Sequence, residues 1–155
     1  MKLTDQKYVL ETLRRAGKSA AEQIQTAAQD MTGTQLYAED GYIPEFKAAS
    51  ERKNMLERAV GFVCKSSAGR VVRLLQLYDS SVYPQEPEEL PAQWGFVLST
   101  DPEKALRFIA LATSPFATGD CCTESGHVWR SKMDNNTWNP NEYPSGWEDL
   151  GEVTR

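Results

Sequence analysis

Residues Gly126–Trp147 read GHVWRSKMDNNTWNPNEYPSGW, and residues Gly69–Trp94 read GRVVRLLQLYDSSVYPQEPEELPAQW. Each stretch opens on a glycine turn that leads into a β-rich strand carrying an arginine, Arg130 or Arg73. A polar loop follows, then an aromatic (Trp138 or Tyr83), a proline-containing stretch and a closing tryptophan, Trp147 or Trp94. A phrase repeated in this way is expected to be one supersecondary unit used twice. The fold expectation is therefore α+β: an N-terminal helical segment followed by two small units, each built on a β-hairpin or three strands.

Local chemistry supports both hairpins. Ser66–Gly69 is good turn sequence between Phe62–Cys64 and Arg70–Leu77, and Ser125–Gly126 plays the same part between Cys121–Thr123 and His127–Lys132. Pro84, Pro87 and Pro91 exclude regular structure before Trp94. The loop Asp134–Tyr143 is rich in asparagine and proline, so side-chain-to-backbone hydrogen bonds and fixed proline angles set its shape.

Working outward, residues 4 to about 30 place Val9, Leu10, Leu13, Ala16, Ala20, Ile24, Ala27, Ala28 and Met31 at helical spacing, with Gly17 as a weak point and Gly33 as the terminator. The stripe is alanine-rich; it either packs on the following unit or serves self-association or docking onto a larger assembly. A short helical turn is expected within Glu45–Arg58. Another is expected at Pro102–Phe108, capped by Thr100 or Asp101. The resulting division is a helical segment over 1–35, a first repeat with its lead-in over 36–98, a connector over 99–114 and a second repeat over 115–155.

Composition narrows the function. The 155-residue chain has a net charge of -5 and 40% hydrophobic residues, too apolar for a disordered chain and too acidic for a typical nucleic-acid binder. No apolar run approaches the roughly 20 residues that cross a bilayer, and the start, with Lys2, Asp5, Lys7 and Glu11, lacks a secretory apolar core. Neither a nucleic acid nor a membrane is an expected partner. The three cysteines, Cys64, Cys121 and Cys122, are expected as free thiols, and with a lone histidine, His127, no Cys/His metal set is expected. No cofactor is implied. Glu86, Glu88 and Glu89 read as a solvated acidic cluster, and no pair of carboxylates or nucleophile–base constellation stands out, so no enzyme is expected.

The phrase Phe116-Ala117-Thr118-Gly119-Asp120, the glycine hairpin, Trp129-Arg130-Ser131, Trp138-Asn139-Pro140 and the closing Trp147-Glu148 resembles a chitin-binding module of the type 5/12 carbohydrate-binding families. The likeness covers about 35 residues in the second copy and, more weakly, a similar stretch in the first. The wording Asp134-Asn135-Asn136-Thr137-Trp138-Asn139-Pro140 is especially similar to versions found in phage tail and tail-fibre-associated proteins. The resemblance implies that Trp94 and Trp147 are structural and that Trp138, with Tyr83 in the matching place, contacts a sugar. A pyranose offers a face of C–H groups suited to a flat aromatic, and its hydroxyls take polar neighbours. Asn135, Asn136 and Asn139 supply donors and acceptors beside Trp138, with Tyr143 and Trp129 as further candidates. Trp129 is expected either in the core or flanking the site, and Arg73 and Arg130 in surface salt bridges. The implied function is noncatalytic binding of a chitin-like or cell-wall polysaccharide by a phage or prophage tail-associated protein. Such a protein is made in the bacterial cytoplasm, with the N-terminal helices attaching it to tail proteins or to further copies. The alternative is an assembly protein that buries the same aromatics between subunits.

Overall fold

The computed structural model describes residues 20–154, and the part of the expected first helix before residue 20 lies outside them. Two compact units divide the chain between Val97 and Leu98. Among the described residues the fold is mixed α+β, with short helices, one three-stranded sheet and one four-stranded sheet.

The first described element of the first unit is α1 (Ala20–Ala27), which tightens into a 3-10 turn ending at Asp30 and stops where Met31 becomes extended. Gly33 does not terminate it; it lies in the first turn of α2 (Gly33–Ala38). Thr32 starts that helix through a capping box: its hydroxyl accepts from the Gln35 N–H, and the Gln35 side chain accepts from the Thr32 N–H. α3 (Phe46–Arg52) precedes β1 (Val63–Lys65), β2 (Val71–Leu74) and β3 (Trp94–Phe96), which form an antiparallel sheet in the order β1-β2-β3. The β1–β2 turn carries a hydrogen bond from Gly69 N–H to Ser66 carbonyl, with Gly69 at φ 85, where only glycine is free of strain. Trp94 is fully buried at the start of β3, between the edges of Phe46 at 5.8 Å and Tyr78 at 6.2 Å.

Polar side chains tie helices to this sheet. The Gln25 side chain pairs with Val63 as a strand would, donating to its carbonyl at 2.6 Å and accepting from its N–H at 2.9 Å. Arg73 was expected in a surface salt bridge; it instead donates to the carbonyls of Ala28 and Met31, satisfying the end of α1. Buried Tyr37 accepts from Val71 N–H and donates to the Val97 carbonyl, and burial pushes its phenol up to about 12. Two members of the acidic cluster are also structural: Glu86 accepts from Ser67 N–H and Glu88 from the Ser66 hydroxyl, holding the β1–β2 turn.

In the second unit, β4 (Leu106–Arg107), β5 (Cys121–Glu124), β6 (His127–Ser131) and β7 (Trp147–Glu152) lie in that order, with β4 parallel to β5 and the rest antiparallel. The segment 99–114 contributes Leu106 and Arg107 to the sheet as β4. Its expected helix is a single 3-10 turn, Pro102–Lys104, capped by Asp101; Ala105 is extended because Leu106 and Arg107 pair with β5. The β5–β6 turn has positive φ at both central residues, Ser125 (53) and Gly126 (79), which suits the right-handed twist of a two-residue hairpin.

This sheet buries both faces. Cys122 and Trp147 lie with Phe108 and Phe116 on one face; Cys121 and Val128 lie with Ala105 on the other. Adjacent residues of β5 therefore serve different cores, as the two-residue strand period requires. Phe108 stacks on Phe116 at 5.6 Å, and both rings meet Trp147 edge-on. Cys64, Cys121 and Cys122 are all buried free thiols. Burial raises the pKa of Cys64 and Cys121, so neither presents a ready thiolate.

Both repeats contain the same three-stranded meander, and their registers correspond. Leu74 faces Trp94 while Arg73 faces Gly95; Ser131 faces Trp147 while Arg130 faces Glu148. A proline-led 3-10 turn precedes each closing strand or the segment leading to it, at Pro87–Glu89 and Pro144–Gly146.

Candidate functional site

The loop between β6 and β7 is built around a side chain that solvent does not reach. Asn136 is 0% exposed, and its amide donates to the Ser131 hydroxyl at 3.1 Å and to the Gly146 carbonyl at 3.2 Å. Its side-chain oxygen accepts from Trp138 N–H at 3.1 Å, and its backbone exchanges two hydrogen bonds with Phe116. The expectation that Asn136 offers polar groups to a ligand is therefore corrected. Every polar atom of its side chain is committed to holding the loop, as burial demands.

Two further asparagines clamp the loop to the β5–β6 turn. Asn139 donates to the Glu124 carboxylate at 2.7 Å, and Asn141 donates to the Ser125 hydroxyl at 2.7 Å. Between them Pro140 is buried. Asn139 also accepts from Asn141 N–H through its side-chain oxygen, so its role is bracing more than display. The Trp147 indole donates to the Trp138 carbonyl at 2.8 Å, tying the core tryptophan to the loop backbone.

These bonds leave Trp138 outside. Its side chain is 54% exposed, against 3% for Trp147, and Tyr143 beside it is 42% exposed. Their ring centroids are 5.8 Å apart with planes inclined by 52°, an open angle rather than a flat shared platform. Neither the Trp138 indole N–H nor the Tyr143 hydroxyl has a hydrogen-bond partner among the described residues. Tyr143 is positioned from below by Gly146: a Cβ there would lie 3.0 Å from the tyrosine ring and 3.2 Å from Met133 sulfur. Asn135 is exposed at φ 54, a left-handed position that asparagine tolerates.

The remaining candidates are Trp129 and Tyr83. Trp129 packs against the Phe108–Phe116–Trp147 core, and its indole N–H donates to the Glu124 carbonyl at 3.1 Å. It supports the face that Glu124 and Asn139 brace. Beside it, at 6.1 Å between rings, stands His127, whose Nδ1 lies 2.9 Å from the Asp149 carboxylate. That contact and the Gly151 N–H hold the Asp149 carboxyl below its ordinary value. Arg130 does lie in the expected surface ion pair, 3.9 Å from Glu148. Tyr83 belongs to the other unit; it is 53% exposed and borders a small cavity of about 290 Å³ with Tyr78, Leu90 and Gln93. The structure thus brings Trp138, Tyr143, Asn135, Asn136 and Asn139 into one loop of the second unit, while Tyr83 belongs to the first.

Three residues that shape the site escape a reading of the sequence by type. Glu124 and Asn141 clamp the loop through side-chain partners about fifteen residues away in sequence, and Gly146 acts by leaving room for the Tyr143 ring and the Met133 sulfur; the Asn139-Pro140-Asn141 spacing was a visible hint of a braced turn. Among the described residues, no group of three or more His, Cys, Asp or Glu side chains is placed to hold a metal ion, and no helix is long and apolar enough to cross a membrane. Comparison of the chain with family models, curated proteins and solved structures finds no match, so the likeness to chitin-binding modules stands on the sequence motif alone.

Proposed function

We propose that the second unit is a noncatalytic carbohydrate-binding module of the chitin-binding type and that Trp138 is its principal contact, with Tyr143 as the second wall. One observation carries this reading: a tryptophan more than half exposed, on a loop whose buried asparagine, clamping asparagines and bonded core indole fix it before any ligand arrives. Presenting an indole to water is unfavourable for folding alone, and a pre-fixed aromatic loses little conformational freedom on binding. The free indole N–H, the Tyr143 hydroxyl and Asn135 serve the sugar hydroxyls. Residues 98–155 carry five lysines and arginines against nine acidic residues, a balance that favours an uncharged polysaccharide over a polyanion. The motif's likeness to phage tail modules supports a tail-associated protein, carried on the virion and assembled with tail proteins or further copies.

The test is retention on insoluble chitin and on peptidoglycan, at low and high salt, for the native chain and Trp138→Ala. Retention should be insensitive to salt and weakened about 30-fold by the substitution, the effect of losing a hot-spot aromatic worth ~2 kcal/mol, with an unchanged melting temperature. Equal retention of the two proteins would overturn the reading.

A subunit-contact role has one observation in its favour, in the first unit. Leu75, Leu77, Val82 and Tyr83 expose large apolar side chains within nine residues of one another in sequence. Light scattering of the native chain beside Val82→Ser/Tyr83→Ser measures it: a drop in assembly size in the double variant supports contact between copies.

A further inference from the structure

The first unit contains a cleft of about 700 Å³ bordered by α1, α3 and the chain leading into β1. Its size falls within the range of small-molecule sites. The apolar part of its wall includes Ala48, Ala49 and Phe62, and three cations, Arg52, Lys53 and Arg58, border it. Glu45 on the same wall is already paired with Lys65, at 3.7 Å. The cleft border thus carries three cations and one carboxylate that is already paired, while the Glu57 charge acts on Arg58 from nearby.

The three cations differ in their commitments. Arg58 lies over the Phe62 ring at 4.5 Å and donates to the Ala49 carbonyl at 2.9 Å, while its buried Nε has no partner among the described residues. Arg52 and Lys53 are exposed and have no side-chain hydrogen bond or ion pair among the described residues. Burial lowers the pKa of Arg58, and the neighbouring Arg52 charge adds to the effect. Cations near a helix C-terminus also offset its dipole. That role accounts for Arg58, but the Lys53 backbone N–H already shares the Ala49 carbonyl, and neither Arg52 nor the Lys53 ammonium bonds a helix carbonyl.

We propose that this cleft is a second binding site, separate in chemistry from the Trp138 surface, and that it takes a small amphipathic anion. The flat apolar part of such a molecule packs against Ala48, Ala49 and Phe62, and its carboxylate, phosphate or sulfonate head lies among Arg52, Lys53 and Arg58. The cation–aromatic stack of Arg58 on Phe62 gives that head a pre-oriented donor.

The probe is 8-anilinonaphthalene-1-sulfonate, titrated into the full chain by fluorescence and calorimetry at low salt, with neutral N-phenyl-1-naphthylamine as the uncharged comparison. The expected result is a single anionic-probe site per chain that the neutral compound fills at least about tenfold more weakly, the loss of one charge-assisted contact. Arg52→Gln/Lys53→Gln should weaken the anionic probe by a similar factor. Ala48→Trp, at an exposed position of α3, should fill the cleft and abolish binding, whereas Trp138→Ala should leave it intact. Thermal melts establish that each variant is folded, and the charge and filling variants test the site independently. The proposal is overturned by absence of binding, by equal affinity for the neutral compound, or by a folded Ala48→Trp protein that binds as the native chain does.

Discussion

The two units build the same meander and treat its closing tryptophan alike, yet they differ in what that tryptophan supports. In the first, the Trp94 indole donates to the Tyr78 hydroxyl, a side chain that is itself buried, and among the described residues three α-helices accompany the sheet. In the second, the Trp147 indole donates to the backbone of Trp138, and no α-helix accompanies the sheet among the described residues. One anchor thus ends in the interior and the other ends at the surface. The comparison teaches that the shared register specifies where the tryptophan sits, while the loop sequence decides whether a second aromatic is folded in or held out.

The largest expected effect tests whether the anchors are equivalent. Trp94→Ala and Trp147→Ala should each cost about 3–5 kcal/mol, the range for removing a buried aromatic, as measured by urea unfolding. A cost below ~1 kcal/mol for either would break the correspondence between the repeats. Next comes Asn136→Ala, which has no counterpart in the first unit. It strands the Trp138 N–H and removes one of the two donors to the Gly146 carbonyl, which keeps the Lys132 N–H, and should cost about 1–3 kcal/mol and weaken glycan retention along with stability. Gly146→Ala sharpens the distinction between folding and presentation. The added Cβ meets the Tyr143 ring at 3.0 Å, and because that ring is part-exposed it yields, so stability should fall by only ~1 kcal/mol while retention drops further than that loss explains.

The smallest effect is electrostatic. Asp149 has its carboxyl held below the ordinary value by His127 and the Gly151 N–H, so its folded pKa lies under its unfolded one. Its contribution is therefore present above the unfolded carboxylate pKa and is lost as pH falls through the depressed folded value. Asp149→Asn should lower the urea midpoint slightly at pH 7, with the difference from the native chain closing on acidification. A gap that widens toward low pH would contradict this sign.

Much of the scaffold was legible because it depends on neighbours in sequence. Ser125-Gly126 and Gly69 mark the hairpin turns through their positive φ, and the prolines before Trp94 and Trp147 exclude longer elements. The capping box at Thr32 and Gln35 was equally local, and its spacing could have revealed α2. Strand β4 was not legible. Two residues gain strand form only by pairing with β5, and the cap at Asp101 gives no sign of where the helical turn stops. Likewise Asn135 and Asn136 are the same residue type in adjacent positions, one exposed in a left-handed turn and one buried beneath it. Only the tertiary partners Phe116, Ser131 and Gly146 separate them. For Glu86 and Glu88, acidic clustering suggested a solvated run, whereas the hydroxyl and amide they accept from lie about twenty residues earlier.

The placement of Cys121 and Cys122 on opposite faces of β5 has a chemical consequence. Joining the neighbouring sulfurs would require one of them to swing through the plane of the sheet, where β4 and β6 bond the strand on both edges. Strand pairing therefore acts as a redox insulator: an oxidising milieu meets two thiols that are adjacent in sequence but have no route to each other while the sheet is intact.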